Sequence, residues 1–135
     1  MSSLPIFDVA GSAMSAQSMR LNTIASNLAN AESVASTADG AYKPRQPVFA
    51  AVAMANQPAL TGVQVNRVEE SKLEAVKRYE PGHPLADGDG YVYAPNIDPV
   101  AEMVDLISAS RGYQAGVEVL NTAKELALAT LNLGR

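Results

Sequence analysis

The chain has 135 residues, 47% of them hydrophobic, which suffices for one domain with a modest core. A net charge of −4 leaves no basic patch for nucleic acid or an anionic membrane surface, and the absence of cysteine excludes disulfides, thiolate catalysis and cysteine metal sites. Aromatics are only 5% with no Trp, so Ala, Val and Leu must carry the packing, which suits closely packed helices better than a globular interior.

The opening MSSLPIFDVAGSAM has no basic segment followed by an apolar run, so no cleavable secretory signal is expected. No run of about 18 apolar residues occurs, so no membrane-spanning helix is expected either. These two features point to the cytoplasm, unless the chain leaves by an export route that needs no cleaved signal. A cysteine-free chain suits passage in an unfolded state. Charge then divides the sequence into three zones: residues 1–39 carry four charged side chains, 40–98 carry thirteen and 99–135 carry seven.

The first zone reads as a helix from Ile6 to Ala31, opening after Pro5 with Asp8 or Ser12 near its start. Phe7, Ala10, Met14, Gln17, Leu21, Ile24, Leu28 and Ala31 step by three and four, a heptad stripe interrupted once at Gln17. Opposite it lie Asn22, Thr23, Ser26, Asn27 and Asn30, and from Val9 to Ala31 the only charged side chain is Arg20. Asn and Thr are mediocre helix formers. Choosing them over Lys and Glu gains nothing at a solvated face, so these amides are expected to hydrogen-bond other backbones in a crowded interface.

The middle zone, 36–97, reads as extended. GAYKPRQPVF carries two prolines; VFAAVAM, GVQVNRV, KLEAVKRY and YVY read as short strands, and EPGHPLADGDGYVYAP is a chain of turn signals. His83 has no nucleophile or orienting partner in any recognisable motif, so it reads as a turn residue rather than a catalytic base. DGDG at 87–90 resembles the start of a calcium loop, but twelve-residue spacing puts Asp98 where a bidentate Glu is needed. Glu69, Glu70 and Glu74 read as a solvated strand edge. No catalytic residue, metal site, cofactor or small-molecule substrate is expected.

The last zone opens with Asp98 as N-cap and Pro99 at the first helical position. Met103, Leu106, Ser110, Tyr113, Val117, Leu120, Lys124, Ala127 and Leu131 form a second stripe, widened by Ile107, Val119, Leu126, Leu128 and Leu133. A helix apolar on so many sides is buried on many sides. A helix of about 35 residues is roughly 50 Å long, too long for one partner helix in a 135-residue chain to bury. Other subunits are therefore expected to cover it. Gly112 and Gly116 inside this helix admit two readings, a close backbone approach or simple tolerance. The membrane-dimer reading of GxxxG fails on the charged and polar Arg111, Gln114 and Glu118 around them.

The stripes and the amide face nominate Met14, Leu21, Asn22, Ile24, Asn27, Leu28 and Asn30 on the first helix as assembly-interface residues. Met103, Leu106, Ile107, Tyr113, Val117, Leu120, Leu128 and Leu131 are nominated on the second.

SAMSAQSMRLNTIASNLANAES, PVF, and the run from PGHPLADGDGYVYAPNIDPVAEMVDLI through VLNTAK to the C-terminal LNLGR resemble the flagellar rod and hook axial family, within it the basal-body rod proteins. The resemblance spans nearly the whole chain; Gly112 and Gly116 fall where helix-favouring residues are expected. It implies a fold that is mainly α with a small β or extended centre. Residues 1–35 and 98–135 would form a discontinuous helical domain, its two helices paired as a coiled coil, and 36–97 an insertion making outer contacts. It also implies a structural subunit of the proximal rod, self-assembling with other copies and related rod proteins into a periplasm-spanning drive shaft around the export channel. Its further implied partners are the flagellar type III export apparatus, which delivers such subunits without signal cleavage, and the membrane-embedded rotor ring. The other class to weigh, an export-linked helical chaperone or adaptor, explains paired helices but not the turn-rich centre.

Overall fold

The computed structural model describes residues 5–55 and 57–134. Helix α1 spans Pro5–Asn30, strands β1 (Arg45–Met54) and β2 (Gln57–Glu70) follow, then β3 (Val76–Tyr79), β4 (Tyr91–Ala94) and helix α2 (Pro99–Leu133). Residues 1–4 of the expected helical part lie outside the described residues.

Local chemistry fixes both helices. Pro5 sits at the first helical position, where a missing N–H does no harm, and Asp8 adds negative charge to the first turn. Asp98 caps α2, its carboxylate accepting from the Val100 and Ala101 N–H groups, with Pro99 next in line. At the far end of α1, the Asn30 side chain donates to the Ser26 carbonyl and the Ser33 hydroxyl to the Asn30 carbonyl, satisfying groups the helix leaves open.

Strands β1 and β2 form an antiparallel hairpin, from Arg45 opposite Glu70 to Ala53 opposite Thr61, with an irregularity between Val48 and Phe49. Strands β3 and β4 form a second, from Val76 opposite Ala94 to Tyr79 opposite Tyr91. Tyr93 exchanges two backbone hydrogen bonds with Ala35, so the chain leaving α1 lies along the outer edge of β4. Val92 is fully buried in this second unit, and Tyr79 meets Tyr91 edge to face at 5.3 Å. The turn before β4 requires Gly90: its φ is +84°, where side chains are strained, and a Cβ would come within 3.0 Å of the Tyr79 ring.

Two features of the expected fold are corrected. The chain is not mainly α, since among the described residues strands take 26% against 47% for helix, arranged in two separate sheets. Nor do the helices pair as a coiled coil along the expected stripes. They run antiparallel, Met14 lying against Gly116, Gln17 against Gly112, and Asn27 reaching Glu102. The α2 face turned to α1 is Glu102, Asp105, Ala109, Gly112 and Gly116, and Ala109 is its one buried residue. Of the expected stripe Met103, Tyr113, Val117 and Leu131 stay exposed, as do Ile107 and Leu128 beside it, whereas Leu106, Ser110, Leu120 and Ala127 are half-buried. The reason is size. Small residues let the backbones come close, whereas knobs the size of Met and Leu hold helices 8–10 Å apart.

Helix α1 packs on α2 along one side and crosses the β1–β2 hairpin with another. Ser12 accepts from the Val63 N–H near the hairpin tip, and Asn27 engages Arg45 at its open end. No helix among the described residues is long and apolar enough to cross a membrane.

Candidate functional site

The polar groups that could do chemistry hold turns instead. His83 Nδ1 accepts from the Leu85 N–H at 3.1 Å, and the His83 backbone N–H donates to the Glu80 carbonyl. Asp87 Oδ1 accepts from the Tyr91 N–H at 2.9 Å and the Asp89 N–H at 3.0 Å. These bonds, that from Tyr91 foremost, hold its carboxyl below the usual carboxylate range. Among the described residues no group of three or more His, Cys, Asp or Glu is placed to hold a metal ion. The DGDG run is thus a turn closed by Asp87.

The uncharged face of α1 has a specific use. Asn27 is 1% exposed, and its carboxamide reads the Arg45 backbone as a neighbouring strand would: Oδ1 accepts the Arg45 N–H at 2.9 Å and Nδ2 donates to the Arg45 carbonyl at 2.9 Å. Oδ1 also accepts from the Tyr42 hydroxyl, and Nδ2 lies 3.3 Å from both Glu102 carboxylate oxygens. One side chain therefore ties α1 to the start of β1 and to the first turn of α2. Around it, Ser26 bonds Tyr42 at 3.1 Å and Thr23 returns its hydroxyl to the Met19 carbonyl. Arg20, the only charge in the central part of α1, pairs with Asp105 of α2 at 3.0 Å, an ion pair exposed enough to be worth about 1 kcal/mol or less.

The nominated assembly residues therefore divide. Ile24 and Asn27 are buried within the chain; Met14, Leu21, Leu28, Asn30, Leu106 and Leu120 are half-buried; Asn22 and the remaining six are exposed. With Gln17 opposite Gly112, Pro5 falls level with about residue 124, so the last two turns of α2 run past the first described turn of α1. Leu126, Leu128, Leu131 and Leu133 of that projection are all exposed, Leu133 at 88%. Nearer its start α2 also exposes Val100, Met103, Val104 and Ile107, a continuous apolar stripe. Patches of this kind on a soluble chain mark contact surfaces.

Residue-by-residue reading of the sequence missed the roles of Tyr42, Arg45 and Glu102 as partners of Asn27. At Gly112 and Gly116 the open choice falls to the close backbone approach, against Gln17 and Met14, and Ala109, three residues before Gly112, was not seen to belong to the same face.

Two family models match: "Flagella basal body rod protein" over residues 7–34, which covers most of α1, and "Flagellar basal body rod FlgEFG protein C-terminal" over 89–133, which covers β4 and α2. The flagellar basal-body rod protein FlgC of Salmonella typhimurium is 54% identical over 135 residues, all of both chains. Its counterpart in Escherichia coli is 55% identical over the same full length, and that of Aquifex aeolicus 44% over 121 residues, 88% of this chain and 87% of the relative. Identity above one half along the entire length, with most of α1 and all of α2 inside the matching regions, means that this chain belongs to the FlgC family of flagellar basal-body rod proteins.

Proposed function

We infer that the chain is a structural subunit of the flagellar rod, self-assembling with other rod proteins in the basal body. The observation that carries this reading is the outward face of α2. Its large side chains point away from α1, and only neighbouring molecules can take them out of water. Each such side chain is worth roughly 1.5–3 kcal/mol on full burial, and a helical stack repeats the gain at every copy. The family is a structural one, and the reading assigns this chain no reaction and no cofactor.

In finer detail, the chain is a proximal-rod subunit of the periplasmic drive shaft, delivered by the flagellar export apparatus without signal cleavage and meeting the membrane-embedded rotor ring. The helical part, 1–35 and 98–135, surrounds the export channel, while 36–97 makes outer contacts. Asn22, Met103, Ile107, Tyr113, Val117, Leu128 and Leu131 are positions where neighbours sit; Ile24 and Asn27 shape the subunit that presents them. The scarcity of charge on α1 and its absence from 126–134 support contacts between like surfaces rather than charge recognition.

The test is complementation. In a bacterium lacking its own FlgC, this chain should restore swarming, and isolated basal bodies should contain it. Expression without rods, the chain remaining in small cytoplasmic complexes, would refute the reading and favour an export-linked adaptor.

A further inference from the structure

The projecting end of α2 and a groove elsewhere on the same molecule match in chemistry. From Leu126 to Gly134 the chain has no charged side chain, and four leucines in it are exposed. On the face of α1 turned away from the hairpin lies a shallow groove of about 290 Å³, lined by Met14, Ser15, Ser18, Met19, Asn22 and, across from α2, Tyr113. It too contains no charged residue, and both Met19 and Tyr113 expose apolar surface.

We propose that the end of α2 in one copy seats its leucines in the Met14–Met19–Tyr113 groove of a second copy. The inference rests on the rod-subunit reading and deepens it by assigning one contact. A charged partner has nothing to pair with in this groove, whereas every copy of the chain brings an uncharged leucine-bearing end. The contact cannot close within one molecule. With Gln17 opposite Gly112, Met19 lies level with about residue 110, which leaves roughly 30 Å of helix to Leu131 at 1.5 Å per residue. Groove and projection are different surfaces, so the contact is heterologous. Such a contact leaves a free groove at one end and a free projection at the other, and propagates along an axis instead of stopping at a pair.

The chain has no cysteine, so two introduced thiols are the only ones present. A disulfide needs Cα atoms within about 7 Å, so Met19→Cys and Leu131→Cys in one chain can join only between copies. Basal bodies isolated from cells carrying this double variant are oxidised and separated under non-reducing conditions. The expected result is a ladder of dimer, trimer and higher species of this chain, collapsed by reductant, while either single variant, with no second thiol at the contact, stays a monomer. Asn22→Cys with Leu128→Cys is the second pair, should the first fail to enter rods. Rods that contain either variant as monomer alone, or as dimer alone, overturn the contact and leave the rod reading standing. Absence of the unsubstituted chain from basal bodies would overturn the rod reading itself, and the contact with it.

Discussion

Replacing Asn27 with alanine removes the carboxamide that joins three elements, and the loss can be worked from the bonds. Arg45 loses partners for both its N–H and its carbonyl, each at 2.9 Å, in a place where the lost side chain is 1% exposed. A shielded backbone group left unpaired costs about 1–3 kcal/mol. The Tyr42 hydroxyl keeps Ser26 as an alternative, and the Glu102 carboxylate is half-buried and reaches water, so neither adds much. The expected destabilisation is about 2–4 kcal/mol, the lower end applying where a water fills the gap. With a urea dependence of about 1–3 kcal/mol per molar for a small domain, the midpoint should fall by roughly 1–2 M. The assay is urea unfolding of the purified chain followed by far-ultraviolet circular dichroism, with Asn22→Ala as the exposed control. That control should stay within about 0.5 kcal/mol of the parent. A midpoint for Asn27→Ala equal to that of the control would refute the strand-like pairing of Asn27 with Arg45.

Three other outcomes are expected. Gly11→Ala, where a new Cβ meets open space, should gain up to about 1 kcal/mol from helix propensity; Gly116→Ala should gain less or lose, because its Cβ would lie 2.5 Å from Met14 Cγ. Equal gains in thermal unfolding would show that the helices do not approach closely there. By nuclear magnetic resonance, Asp87 should titrate with a midpoint below 3.8; its depressed value means that its contribution to folding is present above 3.8 and fades as pH falls through the folded midpoint, and a midpoint at or above 3.8 would contradict the turn geometry. Deleting 131–135 removes Leu131 and Leu133, 67% and 88% exposed in a single copy, so the purified chain should unfold at the parent's midpoint while swarming is lost; normal rods from this truncation would show that the projection is dispensable.

Both helices were legible in the sequence because their signals are local. Asp98 with Pro99 starts α2 whatever surrounds it, and the stepping of apolar residues through α1 survives any packing. The strands were legible as extended segments, but their extent was not. Arg45 to Pro47 joins β1 because Glu70 to Val68 lies opposite, and that pairing depends on a partner more than 20 residues away in the chain. Of the α1 side chains expected to reach other backbones, Asn27 does so, whereas Thr23 and Asn30 bond carbonyls of their own helix and Ser26 bonds the Tyr42 hydroxyl. What could not be read was whose: the Arg45 backbone belongs to the same chain, and Asn27 finds it only once the hairpin crosses α1.

The face that α2 turns inward was misread for a physical reason, and the error explains the molecule. The stepping of apolar residues selects a stripe in which Met103, Tyr113, Val117 and Leu131 stay exposed and Leu106 and Leu120 are half-buried. Close helix approach selects the opposite, and Ala109, Gly112 and Gly116 face α1 instead. The same economy runs through the chain: five of the seven buried apolar residues among those described are alanine. Alanine removes little surface from water compared with leucine, so a single copy gains little from its own core. Its large side chains are held in reserve on the outside, where a monomer gets almost nothing from them. A subunit built this way reaches its full stability only among neighbours, and the residues that settle its assembly are those a search for a monomer's core would assign to the inside.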